Sequence, residues 1–94
     1  MADEGSQAVV TASITDYVPG AYECVTITLD PPNAEQTSRW VNNPNVEGIR
    51  INLYALLDQH PLPSPTQHRA KLLVKLMGEL ATHRRAHDHP PEAK

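Results

Sequence analysis

The chain has 94 residues and a formal net charge of -3, with one cysteine, one tryptophan and no phenylalanine. This length allows a single domain whose thin core must be built from Leu, Ile and Val. A lone cysteine excludes an internal disulfide, the first residues are acidic where a signal peptide is basic, and no apolar run approaches the ~18 residues of a membrane span. We therefore expect a cytoplasmic protein that does not contact a membrane.

Charge is distributed unevenly along the chain. Residues 1–65 hold eight acidic residues and two arginines, whereas residues 66–94 hold six basic and three acidic ones, which gives charges of -6 and +3. The asymmetry fits a basic contact surface, or a C-terminal helix that docks on the acidic remainder of its own fold or of a second copy. We favour docking, because +3 is small for a nucleic-acid footprint.

Two stretches rich in β-branched residues, Val9–Tyr17 and Tyr22–Leu29, predict an N-terminal β-hairpin. In the second stretch apolar residues alternate with threonines, the period-two pattern of a half-buried strand. The intervening Val18-Pro19-Gly20 favours a turn, because proline has a fixed φ and glycine can adopt a positive one.

The middle of the chain contains two further predicted elements. Asn33 and Gln36 match a weak capping box, which predicts a short helix from about Ala34 to Val41 that carries Trp40. Residues 46–58 fit both a helix and a strand, and their length and closing pair of leucines favour a helix.

The C-terminal part predicts the longest element. Three prolines in residues 60–66 forbid a regular helix there, and Thr66 is then a candidate N-cap for a helix from about Gln67 to Ala86. Its polar side carries Lys71, Lys75, Gly78 and Thr82. Its apolar side covers a wide arc made of Leu72, Leu73, Val74, Leu76, Met77, Leu80 and Ala81.

Together these patterns predict an α+β fold. An N-terminal β-hairpin, with a possible third strand, packs against two or three helices, of which the long C-terminal amphipathic helix is the last. The single domain is expected to span residues 8–87, between disordered tails at residues 1–7 and 88–94.

The histidines near the C-terminus continue the apolar side of the last helix. A 4-3-4-3-4 spacing, typical of helices that pack lengthwise, links Arg69, Leu73, Leu76, Leu80, His83 and His87. Three interpretations remain open for His83 and His87: a polar helix end, an interface that weakens below about pH 6, and a metal site completed by Asp88 or His89. The first is the simplest, and we expect no physiological metal site.

The other reactive or aromatic residues have ordinary structural interpretations. Cys24 lies in a predicted strand, where a free cysteine behaves as a small buried hydrophobe. Trp40 fits a core anchor or, beside Arg39, a hot spot for a partner. The sequence contains no phosphate-binding glycine loop, nucleophile elbow or paired metal-ligand motif, so we expect neither an enzyme nor a cofactor.

These observations predict a small non-enzymatic interaction or regulatory protein that self-associates, as a homodimer, or docks a protein partner. The expected interface consists of Trp40, Leu73, Leu76, Leu80, His83 and His87. The alternative is a weak nucleic-acid-binding accessory protein that uses Arg69, Lys71, Lys75, Arg84 and Arg85. We rank it second, because these residues point in scattered directions around the helix.

Overall fold

The computed structural model describes residues 10–30, 37–60 and 64–88. Three strands form one antiparallel sheet in the order β1-β2-β3, and two helices pack on one of its faces. The elements are β1 (Thr11–Val18), β2 (Cys24–Asp30), β3 (Thr37–Asn42), α1 (Val46–Gln59) and α2 (Thr66–Asp88). The expected tails at residues 1–7 and 89–94 lie outside the described residues, but Asp88 belongs to α2.

The hairpin of β1 and β2 confirms the prediction, and the ends of both strands lie within two residues of the expected ones. Gly20 has a φ of +120°, as expected for a glycine in the turn. A register shift between Thr15 and Val18, with Asp16 at a φ of 52°, ends the regular pairing before the turn.

The sheet has one apolar and one polar face, because side chains alternate along each strand. On β2, Val25, Ile27 and Leu29 are fully buried and face the helices. The opposite face, called here the outer face, carries Ser and Thr side chains from all three strands, and Trp40. The core therefore lies between one side of the sheet and the two helices.

The predicted helix over Ala34–Val41 is wrong from Thr37 onward, because residues 37–42 form β3; its proposed cap at Asn33 to Gln36 lies outside the described residues. Thr, Trp and Val favour strands, and Val41 pairs directly with Val25 of β2. Tertiary pairing outweighs the weak capping signal. The described residues therefore contain two helices.

The ambiguous segment at residues 46–58 is a helix, as favoured. The Asn45 side chain caps α1 by accepting a hydrogen bond of 2.7 Å from the Gly48 backbone N–H. The inner side of α1 supplies four buried residues, Ile49, Leu53, Leu56 and Leu57. Only three residues separate β3 from α1, and α1 folds back over that strand.

The apolar side of α2 is narrower than expected. Only Leu72, Leu76 and Leu80 are buried, while Val74 is 72% exposed. Lys75 was expected to face solvent, but its ammonium donates a hydrogen bond to a carbonyl of β1. The helix is thus rotated so that part of its polar side lies against the sheet, and its amphipathic character is weaker than the sequence indicates.

This orientation predicts different costs for two neighbouring truncations. Leu76→Ala should lower the free energy of unfolding by about 2–5 kcal/mol, because it leaves a cavity in the core. Val74→Ala should change it by less than about 0.5 kcal/mol, because the side chain is exposed. Urea unfolding of both variants checks the orientation, and equal losses would contradict it.

Candidate functional site

The edge of β1 that does not pair with β2 is covered by polar side chains of α2. Their three hydrogen bonds join His68 Nε2 to Val10 O (2.6 Å), Lys75 Nζ to Ala12 O, and Glu79 Oε1 to the N–H of Ile14 (2.6 Å). Because the Val10 carbonyl only accepts, the Nε2 of His68 carries the proton. A side-chain cover of this kind prevents an edge strand from pairing with another chain.

The other edge of the sheet is left open by the described residues. Along a strand, the backbone N–H and C=O groups of successive residues point alternately to the two neighbouring strands. On β2 the odd-numbered residues point to β3, as the hydrogen bond from the Asn43 N–H to the Glu23 carbonyl shows, and the even-numbered residues point to β1. The backbone groups of Ser38, Trp40 and Asn42 therefore point away from the sheet. No hydrogen bond joins them to another residue in the ranges described. We call these three residues the β3 edge.

Trp40 lies in the middle of the β3 edge and projects from the outer face. It is 53% exposed, so the interpretation as a core anchor is wrong. Its cross-strand neighbour is Thr26, in a pair that brings side chains close together. The Thr26 side chain is buried, and its hydroxyl has no hydrogen-bond partner among the residues that the structure describes. The site thus combines a large exposed aromatic surface with unpaired backbone groups.

Arg39, between Ser38 and Trp40, carries the only charge on β3. Its side chain is half-buried on the helix-bearing face of the sheet, opposite Ile27. No ion pair or hydrogen bond joins it to another of the described residues. A charge beside an open edge restricts which strands can pair there, because a like charge directly opposite is destabilising.

A polar cluster ties the end of α2 to the hairpin. Arg84 donates to both carboxylate oxygens of Glu23, at 2.8 and 2.6 Å, and to the Pro44 carbonyl at 2.7 Å. Tyr17 donates to the same carboxylate at 2.7 Å, and the His83 ring stacks on the Tyr17 ring with centroids 5.2 Å apart. The arrangement is a bidentate ion pair in a partly buried setting.

These contacts shift the pKa values of three groups. The hydrogen bonds from Arg84 lower the pKa of Glu23, against a smaller opposing effect of burial. The same pair raises the pKa of Arg84. Burial, followed by the hydrogen bond to Glu23, raises the pKa of Tyr17. All three directions keep the carboxylate charged and the phenol protonated at neutral pH, which suits a structural clasp.

The residues expected to form one interface are not brought together. Leu76 and Leu80 are fully buried in the core of their own chain, and Leu73 is half-buried against it. His83 lies half-buried on Tyr17, and His87 is exposed in the last turn of α2. Trp40 is on the opposite side of the sheet. Only Trp40 and His87 present substantial free surface.

Three of the five candidate nucleic-acid-binding residues contact parts of the fold outside α2. Arg69 pairs with Asp58 at 2.7 Å, while Lys75 and Arg84 bind β1 and the hairpin. Lys71 and Arg85 are exposed. The basic residues of α2 thus mainly hold the helix on the acidic part of the fold, which is the docking role that the charge asymmetry favours.

Metal ions and small molecules would need sites of other kinds. In the part of the chain that the structure describes, no group of three His, Cys, Asp or Glu side chains is placed to hold a metal ion. A shallow open groove separates β1 from α2, but its charged residues, Lys75 and Glu79, already bind the β1 backbone. Neither described helix is long and apolar enough to cross a membrane.

Comparison with known proteins found no matching family model, no similar curated protein and no similar solved structure. The function is therefore inferred from the geometry of this chain. The sequence signal that could have located the β3 edge is the strand-forming character of residues 37–42. Sequence reasoning also missed the contact of Glu23 with Arg84, because these residues are 61 positions apart.

The lowered pKa of Glu23 predicts an acid-sensitive contribution to stability. The ion pair stabilises the fold fully above the unfolded-state pKa of ~4.3, and this contribution is lost as the pH falls through the lower folded-state pKa. Glu23→Gln should cost about 1–2 kcal/mol at pH 7, a value discounted because Arg84 is 41% exposed. The difference from wild type should shrink below about pH 4.

Urea unfolding at several pH values measures this effect. Glu47→Gln is the matched control, because Glu47 forms an exposed pair with Arg50 and should contribute little at any pH. A cost of Glu23→Gln that is the same at pH 3 and pH 7 would contradict the assignment.

The open edge predicts a position-dependent effect of proline. Ser38→Pro should cost about 1 kcal/mol or less, because the lost N–H points away from the sheet. Arg39→Pro should cost about 1–3 kcal/mol, because that N–H bonds β2. Thermal unfolding compares the two. If Ser38→Pro is the more damaging change, the backbone of β3 faces the other way.

Proposed function

We propose that this protein is a small non-enzymatic interaction module that binds a protein strand at the β3 edge. Binding of this kind extends the sheet, with backbone hydrogen bonds supplying affinity and side-chain contacts supplying selectivity. The observation that carries the proposal is the contrast between the two edges: α2 covers β1, while the backbone groups of Ser38, Trp40 and Asn42 have no partner among the described residues.

The exposed tryptophan supports the same surface. Trp is among the residues that dominate the energetics of protein interfaces, and Trp40 is 53% exposed beside the unpaired backbone. Leu76 and Leu80 are occupied by the core of their own chain, so the long helix is a poorer docking surface than its sequence indicates. The single cysteine suits action in the cytoplasm.

Site-specific photocrosslinking tests this function. Trp40 is replaced by p-benzoylphenylalanine, which keeps an aromatic side chain at the β3 edge, and cells that express the full chain are irradiated. We expect a discrete protein adduct. The same replacement at Val74, which is 72% exposed on α2, is the control for unspecific collisions.

The dependence of the adduct on the backbone edge decides the result. Ser38→Pro removes a backbone N–H that points away from the sheet, so no hydrogen bond between β2 and β3 is lost. A bound strand would lose a hydrogen bond, and we therefore expect the adduct at position 40 to disappear. If position 74 yields as much adduct as position 40, or if Ser38→Pro changes nothing, the β3 edge is not the docking surface and the proposed function fails.

A further inference from the structure

Three surfaces that a partner could contact meet at the β3 edge: backbone groups, an aromatic side chain and one flank of α1. The backbone groups lie in the plane of the sheet, and Trp40 stands on the outer face. On the helix side, the flank of α1 away from α2 carries Gly48, Asn52 and Ala55. Asn52 lies opposite Tyr54, which contacts Arg69 of α2, and Gly48 and Ala55 lie beside Asn52. All three residues are half-buried, so the surface at the β3 edge continues into the helix layer through small or polar side chains.

We infer that the strand bound at this edge is β3 of a second copy, so that two chains form a continuous six-stranded sheet about a two-fold axis at Trp40. The inference rests on the proposed function and names its partner. A two-fold contact requires a surface that complements itself. The register of β3 against its own copy tests that requirement.

Antiparallel pairing centred on Trp40 satisfies the edge fully. Trp40 then faces Trp40 of the second copy, and Ser38 faces Asn42 on both sides of the axis. Each of these three pairs exchanges two backbone hydrogen bonds. On the other face Arg39 lies opposite Val41, so no like charges meet. The outer face pairs aromatic with aromatic, an arrangement that stabilises adjacent strands.

The two neighbouring registers of this pairing are less stable. A shift that places Ser38 opposite Trp40 brings the two Arg39 side chains face to face, which is destabilising. A shift in the other direction pairs Trp40 with Asn42 and moves Ser38 beyond the end of the opposite strand. The unpaired charge of Arg39 thus selects the register centred on Trp40.

The helices fit the same arrangement. Since α1 lies over β3 and β2, and strands repeat every ~4.8 Å, two copies of α1 would lie roughly 10 Å apart across the axis. Packed helices lie ~8–10 Å apart when their contact side chains are small. Gly48 and Ala55 supply such side chains. The two copies of α1 can therefore pack against each other when the two sheets join.

The size of this contact predicts a weak dimer. It involves about ten residues on each side, against the ~20–30 of a standard stable interface. We expect a dissociation constant in the micromolar range. The average mass should rise from 10.4 kDa towards twice that value as the concentration increases from about 10 µM to about 1 mM.

Disulfide trapping of the full chain tests both the contact and its register. In a Cys24→Ser background, Ser38→Cys with Asn42→Cys places thiols opposite each other across the axis at a Cα separation of ~5.5 Å, which suits a disulfide. The matched control is Thr11→Cys with Thr15→Cys, which has the same spacing and face on the edge that α2 covers. We expect at least about tenfold more covalent dimer from the β3 pair.

Sedimentation of a second pair of variants adds an independent readout. Ala55→Glu should abolish the rise in mass by adding a larger, charged side chain to the helix layer of the contact, whereas Val74→Glu should leave it unchanged. Equal trapping of both cysteine pairs, or a monomer at every concentration, overturns the dimer. If the photocrosslinked adduct at position 40 then contains a different protein, the proposed function stands and only its partner changes; if no adduct forms, both fail.

Discussion

The arrangement of the molecule depends on the hydrogen bonds between α2 and the outer edge of β1. A three-stranded sheet has two edges, and unpaired backbone groups at an edge are a template for another chain. Lys75 and Glu79 satisfy one edge, and they also pair with each other at 2.7 Å. This contact explains why part of the polar side of α2 lies against the sheet, and it leaves the opposite edge as the exposed one.

The contacts of α2 with the rest of the chain also account for the charge asymmetry. The basic C-terminal segment is attached to the rest of the chain at three places: Arg69 to Asp58, Lys75 to β1, and Arg84 to Glu23. The last of these is bidentate and partly buried, so it is less screened by solvent than an exposed pair. The positive charge of α2 is thus used within the fold, and little of it remains for a polyanion.

The sequence predicts the parts of the fold that depend on local patterns. The hairpin follows from alternation on β2, and α1 and α2 follow from helical periodicity and the proline-rich segment before Thr66. The sequence misses what depends on distant contacts. Residues 37–42 are a strand because β2 offers them a partner, and a weak capping signal next to them indicated a helix. The orientation of α2 was also hidden, because Glu79 bonds a residue 65 positions away.

These misses decide the candidate site. While Trp40 is read as part of a helix, it fits a core, and the leucines of α2 look like the free surface. Once Trp40 lies on an edge strand, the roles are exchanged: the leucines fill the core and the tryptophan is exposed. Both helices close this thin core, and the buried leucines of α2 leave little apolar surface for a partner on that helix. A strand edge can bind by backbone hydrogen bonds as well as apolar contact, which is why we propose the β3 edge, rather than α2, as the interaction surface.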